Sequence, residues 1–380
     1  MSVVATISAA IVPDWPSAQA VARVQAELHT RPPLVGYAEC HALRDRLARV
    51  AAGHGYVLQG GDCAELFGEV SAATSARKVY QLHQVASVVY RATGQPVVRV
   101  GRLAGQFAKP RSHLTECGPD GRSLPVYRGD AVNDREPTVP ARTADPDRML
   151  VAYDKSAEVL GHLRGGPIYT SHEALLCEYE EPLIRLHDAV RYGSSGHLLW
   201  VGDRSRHPDG PHLDLLARVA NPVAVKLGPS ATASDVETLV DRLDPDRVPG
   251  RLVLVPRLGK DRVSDLLPAL LAAAASTGAR PVWLCDPMHG NTIRAGSGAK
   301  TRLVEDLVAE VTGFVEVLRA HRVHPGGLHL ELTPDDVDEC LDGPEQLHAG
   351  PRRYSSACDP RLNPTQAVRV AAAFATAVTL

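Results

Sequence analysis

RLVLVPRLG (251–259), KDRVSDLLPALLAAAASTG (260–278), PVWLCDP (281–287): a short apolar run, an amphipathic stretch, then another short apolar run. The outer two read as buried strands, being short, rich in Val and Leu, and closed by Pro, Gly or Asp. The middle stretch repeats apolar residues at helical spacing. Strand, helix and strand with no hairpin signal make a parallel β/α unit. Upstream, YVLQGGD (56–62), PVVRVGR (96–102), GPIYTS (166–171), HLLWVGD (197–203) and PVAVKLG (222–228) have the same character. Downstream, GLHLELT (327–333) follows the helical TRLVEDLVAEVTGFVEVLRAHR (301–322). Strands in this number and order predict an α/β fold, a (β/α)8 TIM barrel. A doubly wound sheet is the alternative the pattern leaves open.

Residues 14–53 read as two helices separated by Pro32 and Pro33, with Gly53 as a C-cap. This gives a short N-terminal helical extension (1–53) and a catalytic barrel (54–380). The connection from about 103 to 165 is too long for a simple crossover, and loops of that length are usually functional.

The formal net charge is −3, so no global basic field points to nucleic acid or an anionic membrane surface. No stretch has the unbroken apolar length of a membrane span, and the N-terminus lacks a basic leader. A cytoplasmic protein is expected. Seven cysteines without a CxxC pair suit neither a disulfide framework nor a zinc ribbon.

In a barrel the chemistry sits at the C-terminal strand ends, and reactive residues cluster there. Asp62 and Cys63 end the first strand, and Arg102 the second, before a loop with Lys109 and Arg111. Ser171, His172 and Glu173 end the third, and Asp203 and Arg204 the fourth. Lys226, Arg257, Asp286 with His289, and Glu331 end the remaining four. The cations, with Lys300, suit a substrate carrying several anionic groups. Cys63, His289, Glu331 and Asp359 are a mixed soft and hard ligand set for a borderline divalent ion. Singly, each has a plainer role: packing for Cys63, a loop hydrogen bond for His289, a cap for Glu331 and Asp359. No short-range spacing such as HExxH joins them, so both readings stand.

Taken as longer words, these segments resemble the motif series of class II (plant-like) 3-deoxy-heptulosonate 7-phosphate (DAHP) synthases. The words are LQGGDCAELF, GRLAGQFAKPRS, YRGDAVN, TSHEALLCEYE, WVGDRSR, VKLGPS, CDPMHGNT, GGLHLELTPDDVDEC and ACDPRLN. They occur in that family's order from about residue 14 to the end. The resemblance implies a (β/α)8 barrel and condensation of phosphoenolpyruvate with erythrose 4-phosphate, the first step of the shikimate pathway to aromatic compounds. It implies a divalent metal, Mn2+ or Co2+ before Zn2+, Fe2+ or Cd2+, on Cys63, His289, Glu331 and Asp359. Phosphoenolpyruvate would be held by Arg102, Arg204, Lys226 and Arg257. Arg111, Ser112 and Lys300 would meet the aldose phosphate. Lys109, between the substrates, is the candidate proton donor, with its pKa lowered by neighbouring cations. Asp203 or Glu173 would orient the water. Left unpaired, so many cations would strain the site. A homo-oligomer, usually a dimer, and a chorismate-mutase-like partner are further expectations.

The sequence departs from the family pattern in three places. Arg294 and Ala295 stand in the loop after His289, where an acidic residue and Pro are usual; this bears on the aldose and raises the alternative of an imino sugar. Asp203 replaces Glu. The chain is short for the family and resembles forms serving secondary metabolism, which implies weak or absent inhibition by Phe, Tyr and Trp. A barrel that only binds a partner is the remaining alternative. Cys358 adjoins Asp359 and should therefore lie near Cys63, where a disulfide would remove a metal ligand.

Overall fold

The computed structural model describes residues 13–111, 113–118, 121–164, 166 and 168–380. Eight parallel strands close into a barrel: β1 (Tyr56–Gly61), β2 (Val97–Arg102), β3 (Tyr169–Glu173), β4 (Leu198–Val201), β5 (Val223–Leu227), β6 (Leu252–Pro256), β7 (Val282–Cys285) and β8 (Pro325–Glu331). Each lies beside its sequence neighbour, and β8 returns to β1. The fold is the (β/α)8 barrel that the alternation predicts. The third strand begins at Tyr169 rather than at Gly166. Gly and Pro are poor strand formers, and Pro has no N–H for a central ladder.

Around the barrel lie α1 (Ala18–Thr30), α2 (Tyr37–Ala51), α3 (Ala72–Thr93), α4 (Arg148–Leu163), α5 (Pro211–Ala217), α6 (Ala233–Leu243), α7 (Val263–Ser276), α8 (Val304–Ala320) and α9 (Pro364–Thr379). Their starts are written locally. Ser71 accepts from the Thr74 N–H, and Thr232 with Asp235 and Asn363 with Gln366 form reciprocal capping boxes.

The barrel interior is filled by alternate strand residues, among them Val57, Val100, Leu198, Ala224, Val253 and Leu284. Leu43, Leu47 and Val50 of α2 join that cluster, so α2 plugs the mouth opposite the reactive strand ends. A second core sets Val24 and Leu28 of α1 against Phe107, Met149 and Tyr153 of the long β2–β3 connection. That connection is therefore packed, and the loop carrying Lys109 rests on it through Phe107.

Register decides what meets at the top. Gly61 is aligned with Arg102 on one side and Glu331 on the other. With no side chain at Gly61, the two charged residues can meet across β1.

Where β8 meets β1, Gly327 has φ +143°, and a Cβ there would lie 1.9 Å from the Val57 carbonyl oxygen. Gly327→Ala is expected to cost at least about 3 kcal/mol, read as a lowered urea midpoint. Gly161→Ala, in α4 with nothing within 4 Å of the added methyl, should be neutral or stabilise by about 0.5–1 kcal/mol. Equal effects at both positions would show that barrel closure does not depend on that approach.

Candidate active site and metal centre

Above the apolar filling lies a polar layer whose hydrogen bonds all run one way. An Arg can only donate, so Arg102 Nη1 donates to His329 Nε2 at 2.6 Å. The His329 proton therefore sits on Nδ1 and is donated to Gln59 Oε1 at 2.8 Å. Gln59 Nε2 donates to Ser171 Oγ at 3.0 Å, and Ser171 donates to the Gly101 carbonyl. Burial, Lys226 and Arg102 hold His329 well below its ordinary pKa, which keeps it neutral. Trp200 lies under the cationic end of this layer. Arg102 is 5.2 Å and Lys226 6.0 Å from its ring centroid.

Glu331 is fully buried above this layer. Its Oε1 meets Arg102 Nη2 at 3.1 Å, Lys109 Nζ at 3.0 Å and His289 Nε2 at 3.2 Å. Its Oε2 meets Arg302 Nη1 at 2.9 Å. Burial would raise its pKa, but His289, Lys109 and Arg302 hold it well below the carboxylate range. His289, Glu331 and Asp359 place ligand atoms within 4.8 Å of one another.

These groups fit a divalent ion. His289 Nδ1 lies 2.8 Å from Asp286 Oδ2 and 3.4 Å from Lys226 Nζ, and Nε2 lies 3.2 Å from Glu331 Oε1; with an ion bound, Nδ1 would keep a proton for Asp286 and Nε2 would give its lone pair to the metal. A carboxylate behind a ligating imidazole is the usual support of a metal-bound His. Burial lowers the His289 pKa, favouring the neutral ring. Cys63 lies beside this trio rather than within it. Its Sγ accepts from the Asp359 N–H at 3.4 Å. A hydrogen bond from Cys358 brings the Cys63 thiol down to about 6 against the effect of burial, so its sulfur is disposed to be a thiolate. Cys358 is thus a neighbour of Cys63, and both are free thiols.

The other expected residues converge on one cleft. Arg102, Arg204, Lys226, Arg257, Arg111 and Lys300 line it with Lys109, Glu173, Asp203, His289 and Asp359. Ser112 lies outside the described residues.

Two expectations need correction. The cations are not left to repel one another, because buried carboxylates are interleaved with them. Lys109 bridges Glu331 and Asp359 Oδ2 at 2.8 Å, Lys300 meets Asp359 Oδ1 at 2.8 Å, and Lys226 meets Asp286 Oδ2 at 2.8 Å. Nor is the Lys109 pKa lowered. Burial pulls it down, but Asp359 and Glu331 outweigh that and raise it, because its nearest charges are anions. The lysine brought down is Lys226, to about 8, by burial and by Arg102 despite the opposing effect of Asp286.

The two carboxylates expected near the water differ in their surroundings. Asp203 Oδ1 accepts from the Gly228 N–H at 2.8 Å and Arg206 Nε at 3.0 Å, and Oδ2 lies 3.5 Å from Arg257 Nη1. Glu173 Oε1 is buried against the cleft with no hydrogen-bond partner among the described residues. Arg294 belongs to the hairpin Ile293–Arg294/Lys300–Thr301, where it is exposed and donates to the Gly298 carbonyl at 2.7 Å. It is not among the residues lining the cleft.

Sequence reasoning missed several groups. Arg302, two residues after Lys300, is fully buried on Glu331, and the helical reading of 301–322 gave no signal for it. Gln59 and His329 were hidden because they lie mid-strand. Arg361 ties Asp62 at 2.6 Å to Glu339 at 2.9 Å, and Glu339 accepts from the Ser355 and Ser356 N–H groups. That network holds the loop bearing Cys358 and Asp359 against Cys63.

The pattern of the Class-II DAHP synthetase family matches residues 2–167 and 166–375. The chain belongs to that family. A phospho-2-dehydro-3-deoxyheptonate aldolase of Streptomyces coelicolor is 40% identical over 424 residues, covering 96% of this chain and 94% of the relative. A probable phospho-2-dehydro-3-deoxyheptonate aldolase of Pseudomonas fluorescens is 43% identical over 368 residues, covering 94% and 92%. The solved phospho-2-dehydro-3-deoxyheptonate aldolase of Francisella tularensis SCHU S4 aligns with a TM-score of 0.56 over 94% of this chain and 96% of that one. At 13% identity it speaks for the barrel alone. Metal dependence is general in the DAHP synthetase family, and the His289, Glu331 and Asp359 group agrees with it.

Arg302→Met would leave Glu331 Oε2 without its buried cation. The expected loss is about 3–5 kcal/mol in metal-free protein, measured by denaturant unfolding; a loss under about 1 kcal/mol would mean that Arg102 and Lys109 suffice. Oxidation should join Cys63 to Cys358, lowering both activity and bound divalent metal, with dithiothreitol restoring both and Cys358→Ser protecting. Full activity after both thiols are oxidised would sink that pairing.

Proposed function

We propose that this chain condenses phosphoenolpyruvate with erythrose 4-phosphate, giving 3-deoxy-heptulosonate 7-phosphate and inorganic phosphate. The observation that carries it is the convergence, at one barrel mouth, of anion-binding cations with an imidazole and two carboxylates fit for a metal. A phosphate and carboxylate at one end and a second phosphate at the other account for cations on both sides of Lys109.

His289, Glu331 and Asp359 would hold a divalent metal with Cys63, for which Mn2+ or Co2+ suits the mixed donors. Such an ion supplies Lewis-acid polarisation of the aldehyde. Arg257, Arg204, Arg102 and Lys226 bind the phosphate and carboxylate of phosphoenolpyruvate and orient C3 toward the aldehyde carbon. Lys300 and Arg111 take the aldose phosphate. C3 attacks, cationic character develops at C2, water adds there, and phosphate leaves by C–O cleavage. The proton released by the adding water balances the one the new alkoxide takes up, while Lys109 stays an ammonium and donates a hydrogen bond to that alkoxide as its charge develops. Asp203, its Oδ1 taken by Gly228 and Arg206, faces Arg257 with Oδ2 and orients it. Glu173, with a free buried oxygen, is the better group to orient the water.

The imino-sugar alternative rested on Arg294, whose guanidinium is turned to its own hairpin. A partner-binding barrel without chemistry would not need this ligand set. We further propose a cytoplasmic homodimer, supplying the aromatic pathway or secondary metabolism, with residues 1–53 as an extension on the catalytic barrel. No helix among the described residues is long and apolar enough to cross a membrane.

Chelator-stripped protein re-supplied with Mn2+ or Co2+ should release phosphate from phosphoenolpyruvate only when erythrose 4-phosphate and metal are both present. Release without aldose would make it a phosphatase; metal binding without release would point to another aldose; no metal binding would remove the proposal.

A further inference from the structure

Glu310 stands behind the cleft on α8, and no step above uses it. It is 1% exposed. Its Oε1 accepts from the backbone N–H groups of Leu258 and Gly259 at 2.8 and 2.9 Å. Its Oε2 accepts from Asn291 Nδ2 at 2.7 Å. Leu258 and Gly259 follow Arg257 at the end of β6, and Asn291 follows His289 after β7. Asn291 completes a bracket: its Nδ2 also donates to the Pro287 carbonyl at 2.8 Å, and its Oδ1 accepts from the Lys260 N–H at 3.0 Å.

The two loops also touch directly. Arg257 Nη2 donates to the His289 carbonyl at 2.7 Å. A Cβ on Gly290 would lie 2.3 Å from the Gly259 nitrogen, so the backbones pass with no room for a side chain. One turn earlier on α8, Asp306 Oδ1 meets Lys260 Nζ at 2.5 Å, so the helix grips the first loop twice.

A carboxyl group buried this deeply needs several donors to offset its desolvation, and here the donors come from two different loops. One loop carries an anion-binding Arg and the other a metal-ligand His. We propose that Glu310 is a positioning residue that couples Arg257 to His289, fixing the spacing between the phosphoenolpyruvate end and the metal end of the site. This rests on the function proposed above. Any displacement of α8 then moves both ends together.

The test measures Mn2+ binding and phosphoenolpyruvate binding separately, by calorimetry on the full chain without aldose. Glu310→Ala frees both loops and should weaken each ligand about tenfold or more, the usual effect of losing support behind a ligand. Glu310→Gln keeps an oxygen for Leu258 and Gly259 but turns an NH2 group onto the Asn291 NH2. Mn2+ binding should then fall about tenfold while phosphoenolpyruvate binding changes less than about twofold. A merely structural Glu310 would lower the melting temperature and the number of competent sites and leave both affinities unchanged in all variants; that result overturns the coupling. Should Glu310→Ala not fold, the Gln variant carries the test. Wild-type protein that binds neither ligand would instead refute the proposed function and this inference with it.

Discussion

The site depends on keeping one carboxylate, that of Glu331, ionised in the driest part of the barrel mouth. Unpaired, a buried carboxylate takes up a proton rather than bear the desolvation. Glu331 is held charged from several directions: by Arg102 on β2, Lys109 from the β2–β3 connection, Arg302 before α8 and the imidazole of His289. Those residues come from parts of the chain far apart in sequence, so the charge can persist only in the closed barrel. Function and folding are joined here, because the contacts that keep Glu331 ionised also pin the strand ends around it.

From that carboxylate the site divides in two. Toward Asp359 and Cys63 lie groups of the kinds a divalent metal takes, with Asp286 behind His289 and the Arg361–Glu339 network behind the Asp359 loop. Toward Lys226, Arg204 and Arg257 they are cations for anionic oxygens, floored by Trp200. Lys109 belongs to both halves. Its carboxylate partners keep it charged, which suits a hydrogen-bond donor to developing negative charge better than an amine that must first gain a proton.

A removed partner would leave a buried charge uncompensated, a heavier loss than the pair's own net worth. The fold provides a rigid base for such pairs. The apolar filling, closed from below by Leu43, Leu47 and Val50 of α2, backs the polar layer of Gln59, Ser171 and His329 with apolar side chains on that side.

The sequence by itself determined the parallel alternation of strand and helix, because these are local matters of apolar spacing and Pro or Gly punctuation; closure into a barrel rather than a doubly wound sheet was settled by the pairing of β8 with β1. It also determined which residue types end each strand, and so the cations and ligand candidates from Cys63 to Asp359, whose motif words place the chain in its family. It began the third strand at Gly166, where the ladder begins only at Tyr169. Only the tertiary structure decided which charge meets which. Lys109 was expected among cations and stands among anions, because register sets Glu331 beside Gly61 and packing brings the Asp359 loop across it. Arg302, His329, Gln59 and Glu310 were invisible for the same reason. Their partners lie tens to hundreds of residues away, and no local spacing records a contact that exists only once the barrel has closed.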